Sequence, residues 1–448
     1  MPDTLEKLTQ SLLSAAKKAG ADSADALAVD GTSLSIDVLK GKLEHAERSE
    51  GVEIGLRVLI GKRQACVSAS DTSAATIETM AERAVAMARE APEDAMIGLA
   101  DADMLAKNWD VSALELADPS GEPSPAELEA AACRAEAAAL AHEGIAQVSS
   151  ASGGYGRRRI HLSASNGFSG GYGRTDHALS VVAITGEGTK MERDYAGEMR
   201  SFASDMPSPE GIGNLAAERT LERAGARKPK TGAYPVLFDE RIAASLIGHM
   251  LSAINGTAIT RGASWLREAM GEQILPDGLS VIEDPLRPRV TGSRPFDGEG
   301  LAKVRRTLVA DGVLQSWTLD LATARKLGLE STANASRGTS SPPSPSVTNI
   351  ALTQGVQTRQ QLLSDMGTGL LVTSMIGSTI NPNTGDYSRG ANGFWVEGGE
   401  IKYPVNECTI AGNLRDMLMS IRPANDARMH LSRVVPSLLV EGMTLAGE

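Results

Sequence analysis

At 448 residues the chain is long enough for two or three domains with substantial cores, and 42% hydrophobic with 22% charged residues is a globular, not a disordered, balance. A formal charge of −12 would repel a phosphate backbone, which argues against nucleic acid as a partner. Three cysteines, Cys66, Cys133 and Cys408, lack any paired spacing, which excludes a disulfide framework or a cysteine zinc site and points to a reducing cytoplasm.

The opening residues carry no basic segment followed by an apolar one, so no export signal is expected. From Thr4 to Ala19, Leu5, Leu8, Leu12, Leu13 and Ala16 recur at helical spacing before Gly20, which predicts an amphipathic helix. Strands are expected at Ala26 to Val29, Ser33 to Leu39 and Val52 to Ile60, with Gln64 to Ser68 pairing back across Gly61-Lys62. Thr72 to Glu90 returns to helix, and Pro92 to Pro125 reads as loops and a boundary. An Ala-rich helix follows over Ser124 to Glu143. Beyond it, Asn166-Gly167 predicts a type I′ hairpin, with further strands at Ala178 to Thr185 and Met191 to Tyr195 and a helix at Pro207 to Ala224.

Two short motifs in this half are weak. Gly167-Phe168-Ser169-Gly170-Gly171 matches G-x-S-x-G, but it follows a hairpin turn and not the strand of a nucleophile elbow. Gly211-Ile212-Gly213 lacks the preceding strand of a dinucleotide loop and reads as a helix start.

After a basic linker, Arg227 to Gly232, the apolar run Val236 to Phe238 enters a helix over 239–254, with Asp239 as N-cap and no Asp, Glu, Lys or Arg between Arg241 and Arg261. Such a helix belongs inside a large core. His249 is its one strong ligand or proton carrier. A hydrolytic zinc helix needs two imidazoles and a carboxylate on one face, and a widened H-E-x-x-x-H ending at His249 would begin at Ala244 and Ser245, neither of which can hold zinc or activate water. His249 is therefore expected to be a core histidine bonded to a backbone group. Ile242 to Thr260 and Met366 to Thr384 are uncharged, but polar residues interrupt both, so no membrane span is expected.

The remainder predicts β structure. Strands are expected at Leu279 to Ile282, Val304 to Val309 and, across Asp311-Gly312, Leu314 to Leu319. Ser336 to Ser346, with three prolines and five serines, reads as an extended surface loop. Leu370 to Met375 is an apolar strand, Gly393 to Tyr403 a tight hairpin, and Asn413 to Ile421 a late helix. The whole is an α+β protein: an N-terminal sheet-plus-helices domain over 1–226, with a sub-boundary near 92–125, and a mostly antiparallel C-terminal β domain over 227–448 around the buried helix.

The run Thr384-Gly385-Asp386-Tyr387-Ser388-Arg389-Gly390-Ala391-Asn392-Gly393-Phe394-Trp395-Val396-Glu397, followed by Thr409-Ile410-Ala411-Gly412-Asn413-Leu414, resembles the TldD/PmbA family in its PmbA (TldE) branch. The likeness extends through Phe238 to His249, Gln273 to Asp277, Pro295 to Gly300 and Ala324 to Leu329, and more loosely through Gly51 to Val58 and Asn166 to Phe168. The resemblance implies a protein described as a modulator of DNA gyrase and tied to proteolysis. In the TldD partner, H-E-x-x-x-H and a late Cys hold zinc; here Ala244, Ser245 and His249 stand at the motif positions and Val435 near the Cys position.

These departures imply no metal in this chain and zinc in a TldD-like homologue, with which it would form a heterodimer around a cleft for unfolded peptides. Asp386, Tyr387, Ser388 and Arg389 are candidate cleft residues, with an Asp386–Arg389 brace as the competing reading. A homodimer built on the same surface is a further alternative when the partner is absent. Two rivals are a self-sufficient hydrolase, for which the six histidines show no grouping, and a non-enzymatic modulator of gyrase, which the acidic balance disfavours.

Overall fold

The computed structural model describes residues 4–448. Its N-terminal part is one six-stranded antiparallel sheet. The strands are β1 (Ser23–Leu39), β2 (Lys42–Ile60), β3 (Arg63–Ala69), β4 (Ile145–Ala164), β5 (Ser169–Thr185) and β6 (Glu192–Arg200), in the order β3-β2-β1-β4-β5-β6. The two strands expected between Ala26 and Leu39 are a single long one, because Asp30-Gly31-Thr32 stays paired on both sides.

Alternation decides what each face does. Ala24, Ala26, Ala28, Leu34, Ile36 and Val38 of β1 all point to one side, where four helices cover them. Helices α1 (Leu5–Ala19) and α2 (Ala74–Glu90) seal one half, and α3 (Pro125–Leu140) with α4 (Pro209–Leu221) the other. Small alanines on helices and sheet let the layers approach closely, and a Cβ on Gly213 of α4 would lie 2.1 Å from the Ala135 carbonyl of α3. The helix start expected at Gly211 holds: Ser208 caps α4 by accepting from the Gly211 amide.

In the C-terminal part β7 (Gly232–Phe238) is the strand to which the rest is attached. It pairs parallel to Gly369–Ile380 and antiparallel to Leu438–Ala446. The chain then runs Gly369–Ile380, Asp386–Glu397 and Glu400–Asn413 as an antiparallel meander. Glu400–Asn413 pairs in turn with Leu438–Ala446, which closes the strands on themselves as a barrel and removes their edges. Gly393 is required at a crossing point, since a Cβ there would meet the Leu371 carbonyl at 1.8 Å.

Helix α5 (Glu240–Ala253) leaves β7 directly and buries Ala243, Leu246, Ile247, Met250 and Leu251 in the largest core of the molecule. Each such Leu, Ile or Met contributes about 1.5–3 kcal/mol of burial.

Two turns differ from expectation in kind. Asn166-Gly167 does make the β4–β5 hairpin, but only Gly167 has positive φ, so the turn is not type I′. Asn166 is held otherwise: its amide donates to the Ala100 carbonyl and its oxygen accepts from the Phe168 amide. Asp311-Gly312 has both φ values positive (48° and 80°), as a type I′ turn demands, although the strand after it is only Val313–Leu314. The segment from Ser336 to Ser346 is extended as expected, yet it is not a surface loop throughout. Arg337 and Thr339 are buried between the two parts of the chain, and a Cβ on Gly55 of β2 would lie 2.1 Å from the Thr339 carbonyl.

Candidate functional site

The site is built on α5. Asp239 caps it by accepting from the Arg241 amide at 3.1 Å, and its own amide donates to the Val372 carbonyl, which ties the helix start to the barrel. The buried Asp239 carboxylate is further held by the Arg241 and Arg359 guanidinium groups. The helix thus begins in a fixed place, and everything it carries is fixed with it.

One face of α5 presents Ala244, Ser245, Gly248 and His249, all half-buried. Ser245 Oγ donates to the Ile242 carbonyl at 2.7 Å, so its hydroxyl is spent on its own helix. Across from this face lies Asp386–Glu397 of the barrel, and it delivers Tyr387 onto His249, ring edge to ring face at 5.8 Å between centroids. Tyr387 is 2% exposed and its hydroxyl points to Met375 Sδ at 3.3 Å.

Burial, with the Arg389 charge adding to it, depresses His249 to about 4, so the imidazole is neutral at physiological pH. Burial likewise pushes the Tyr387 phenol up to about 12. The sequence expectation that His249 bonds a backbone group is not met at Nε2, which is buried with no protein partner.

The four candidate cleft residues separate by strand alternation. Tyr387 and Arg389 share the face toward α5, where Arg389 Nε donates to the Gly377 carbonyl at 2.7 Å. The exposed Asp386 instead accepts from Thr384 Oγ1 at 2.6 Å and Asn413 Nδ2 at 3.2 Å, and these bonds hold its carboxyl below the usual range. Ser388 is half-buried. Asp386 and Arg389 each have other partners and do not bond one another.

The donor set does not suit a metal. Val435 is a buried aliphatic residue, Ala244 and Ser245 supply no ligand, and a Cβ on Gly248 would lie 2.8 Å from Arg433 Nη1, so a second cation lies beside the first turn before His249. Among the described residues no group of three or more His, Cys, Asp or Glu is placed to hold an ion. Nor do the other histidines gather: His177 meets Asp118 at 3.3 Å, His430 meets Glu198 at 3.5 Å, and His161 Nδ1 meets Thr9 Oγ1 at 3.1 Å, each in a different place. Ser169 starts β5 straight after a hairpin turn and has no elbow geometry. No described helix is long and apolar enough to cross a membrane.

Comparison with known proteins places this arrangement in a class. Residues 231–447 match the model of the PmbA/TldA metallopeptidase C-terminal domain, 24–88 that of domain 1 and 118–224 that of the central domain. The sequence is 37% identical over 431 residues to Metalloprotease PmbA of Escherichia coli O157:H7, covering 95% of this chain and 93% of that protein. It is 34% identical to the Metalloprotease PmbA homolog of Haemophilus influenzae, covering 96% and 94%. The chain belongs to the PmbA/TldD metallopeptidase family, in its PmbA branch. A crystal structure from Bacteroides thetaiotaomicron VPI-5482, described as a candidate modulator of DNA gyrase, superposes with a TM-score of 0.91 at 28% identity over 99% of both chains. TldE from Thermococcus kodakarensis shares the fold, with a TM-score of 0.85 at 19% identity, covering 98% of this chain and 100% of that one.

Proposed function

We propose that this chain is the metal-free subunit of a heterodimer: it pairs with a TldD-like homologue that carries zinc, and the two enclose a cleft in which unfolded peptide reaches that metal. The observation that carries the reading is the poverty of donors around α5, where one neutral imidazole is packed on Tyr387 and faced by Arg389. A divalent ion needs several anionic or neutral lone-pair donors, and here the nearby charge is positive. Hydrolytic power then comes from the partner. The long hairpin that carries Asp386, Ser388 and Arg389 supplies this chain's wall of the cleft, with Tyr387 packed beneath it.

Main-chain pairing at a strand edge would hold an extended peptide without demanding a sequence, which suits substrates defined by being unfolded. We further propose that residues 1–226 and 227–448 act as two units, that the protein works in the cytoplasm, and that it self-associates as a homodimer when the partner is missing.

The test is to purify the chain alone and with its TldD-like homologue, measure bound metal, and assay cleavage of casein. The expected result is no stoichiometric zinc and no cleavage alone, with both appearing in the co-purified pair. Stoichiometric zinc with chelator-sensitive turnover in the isolated chain would overturn the proposal in favour of a self-sufficient peptidase. Intact casein in the pair, together with a direct effect on gyrase supercoiling, would favour the modulator reading.

A further inference from the structure

The helix-free face of the N-terminal sheet is covered at one end by two C-terminal segments, 294–298 and 336–339, and between them lies a cavity of about 340 Å³. Its sheet side is apolar at Leu27, Val29, Ile160 and Leu162. Its polar lining is dominated by four arginines: Arg158, Arg174, Arg294 and Arg337. Arg158 on β4 and Arg174 on β5 stand directly opposite one another in the ladder. Like charges in that position destabilise a sheet unless something anionic lies between or over them.

Asp176 stands near Arg158 and Arg174 and answers part of their charge, and the other carboxylates nearby are already engaged. Asp25 takes the Arg57 Nε at 2.7 Å and is also paired with Arg337 Nη1. Asp297 accepts from the amides of Glu299, Leu301 and Ala335 at 2.9–3.0 Å, and burial raises its carboxyl toward the neutral form. Glu53 accepts from Thr339 Oγ1.

Two guanidinium donors are left over. Arg337, with a side chain 2% exposed, has no protein acceptor for Nη2, and Arg294 has none for its buried Nε. Buried donors are almost always satisfied, because an orphaned one loses its bond to water and gains none in return. Both side chains contribute to the lining of the cavity, which draws positive charge to it.

The form of that anion follows from what adjoins the cavity. Val29, Glu53, Arg158 and Arg174 also line a groove of about 820 Å³ that continues along the same sheet face. Its floor is Gly31 opposite Gly51 and Ser33 opposite Ser49, with Gly156 beside Ser33. A Cβ added at Gly51 or Gly156 would meet nothing within 4 Å. The floor is therefore low and open, with room for a main chain, and the arginines stand at its closed end.

We infer that this cavity receives the C-terminal carboxylate of an extended peptide, whose preceding residues lie over the glycine and serine floor. A guanidinium fork matches a carboxylate in plane and in donor spacing. The inference shares with the proposed function only the premise that the chain meets peptides. It involves neither metal nor partner, so the isolated chain tests it whatever becomes of the heterodimer.

The experiment is fluorescence anisotropy with a short, flexible Ala/Gly/Ser peptide labelled at its N-terminus, compared as the free acid and as the C-terminal amide. The acid is expected to bind at least about tenfold more tightly than the amide, the scale of one charge-assisted hydrogen bond. Arg158→Ala, at an exposed position that folding tolerates, and Arg294→Gln should each reduce the acid toward the amide. Equal binding of acid and amide, or an acid preference that survives both substitutions, would overturn the inference. So would binding of inorganic phosphate without binding of the peptide acid, which would make the cavity a site for free anions.

Discussion

Two regions of this molecule handle their ionisable groups in opposite ways. Around α5 a single imidazole is kept neutral by burial and by a neighbouring cation, with Tyr387 as its packing partner. At the seam between the N-terminal sheet and the C-terminal segments, charged groups are answered one by one: Asp25 by Arg57 and Arg337, Glu53 by Thr339. The half-buried face of α5 is chemically spare, whereas the seam is dense with donors and acceptors. The comparison teaches that the seam's charges are bound up with joining the two parts of the chain, and that α5 confines its charge to the cap at Asp239 and packs its length on apolar side chains.

The largest expected effect breaks the seam. Asp25→Asn keeps the shape of the side chain but leaves two buried guanidinium groups, Arg57 and Arg337, without their anion. Removing one partner of a buried pair costs about 3–5 kcal/mol. Urea unfolding of the variant should show that loss in the midpoint. A loss below about 1 kcal/mol would mean the seam is hydrated and the charges are not truly buried.

The seam was also the part least legible in the sequence, and the reason is physical. Alternation along β1 and β2 marks Asp25, Arg57 and Glu53 as facing away from the alanines, which reads as solvent when one face of an antiparallel sheet is wet. Here part of that second face is covered by residues 286 to 312 positions later, and no local pattern announces such a contact. Ser336 to Ser346 misled for the same reason, since serine and proline describe an extended chain but not what it lies against. The α5 region was legible because its signals are local: a capping Asp239, an apolar run, and a count of ligands that comes to one. Even there, the Nε2 of His249 without a bonding partner was not foreseeable, because it depends on which barrel strand brings Tyr387 over the ring.

A second prediction sharpens the contrast through pH. Glu299 sits in the seam, accepting from the Leu321 amide at 2.9 Å, and burial together with the Asp297 and Asp320 carboxylates raises it from 4.5 to about 8. A carboxyl raised in the folded state holds its proton better there than in the unfolded chain. Its contribution is complete below 4.5 and is lost as the pH rises through about 8. Thermal unfolding should therefore show the native chain weakening on the alkaline side. Glu299→Gln, which keeps an acceptor for Leu321 and has nothing to ionise, should flatten that decline. A decline of the same size in the variant would place the alkaline sensitivity elsewhere.

The smallest effect is expected at α5, and its sign is reversed. His249 is a base whose folded value lies near 4, below its ordinary 6.5, so the folded chain binds its proton less well than the unfolded chain does. Its contribution is present above 6.5 and is lost as the pH falls toward 4. His249→Phe keeps an aromatic ring against Tyr387 and removes the buried Nε2, so at neutral pH its stability should lie within about 1.5 kcal/mol of the parent. In acid the two should part, with the parent losing stability between pH 6.5 and 4 and the variant losing less. Parallel acid profiles would show that water reaches the imidazole and that the ring titrates as an ordinary one, in which case the neutral, cation-faced histidine could no longer support the metal-free reading proposed for this chain.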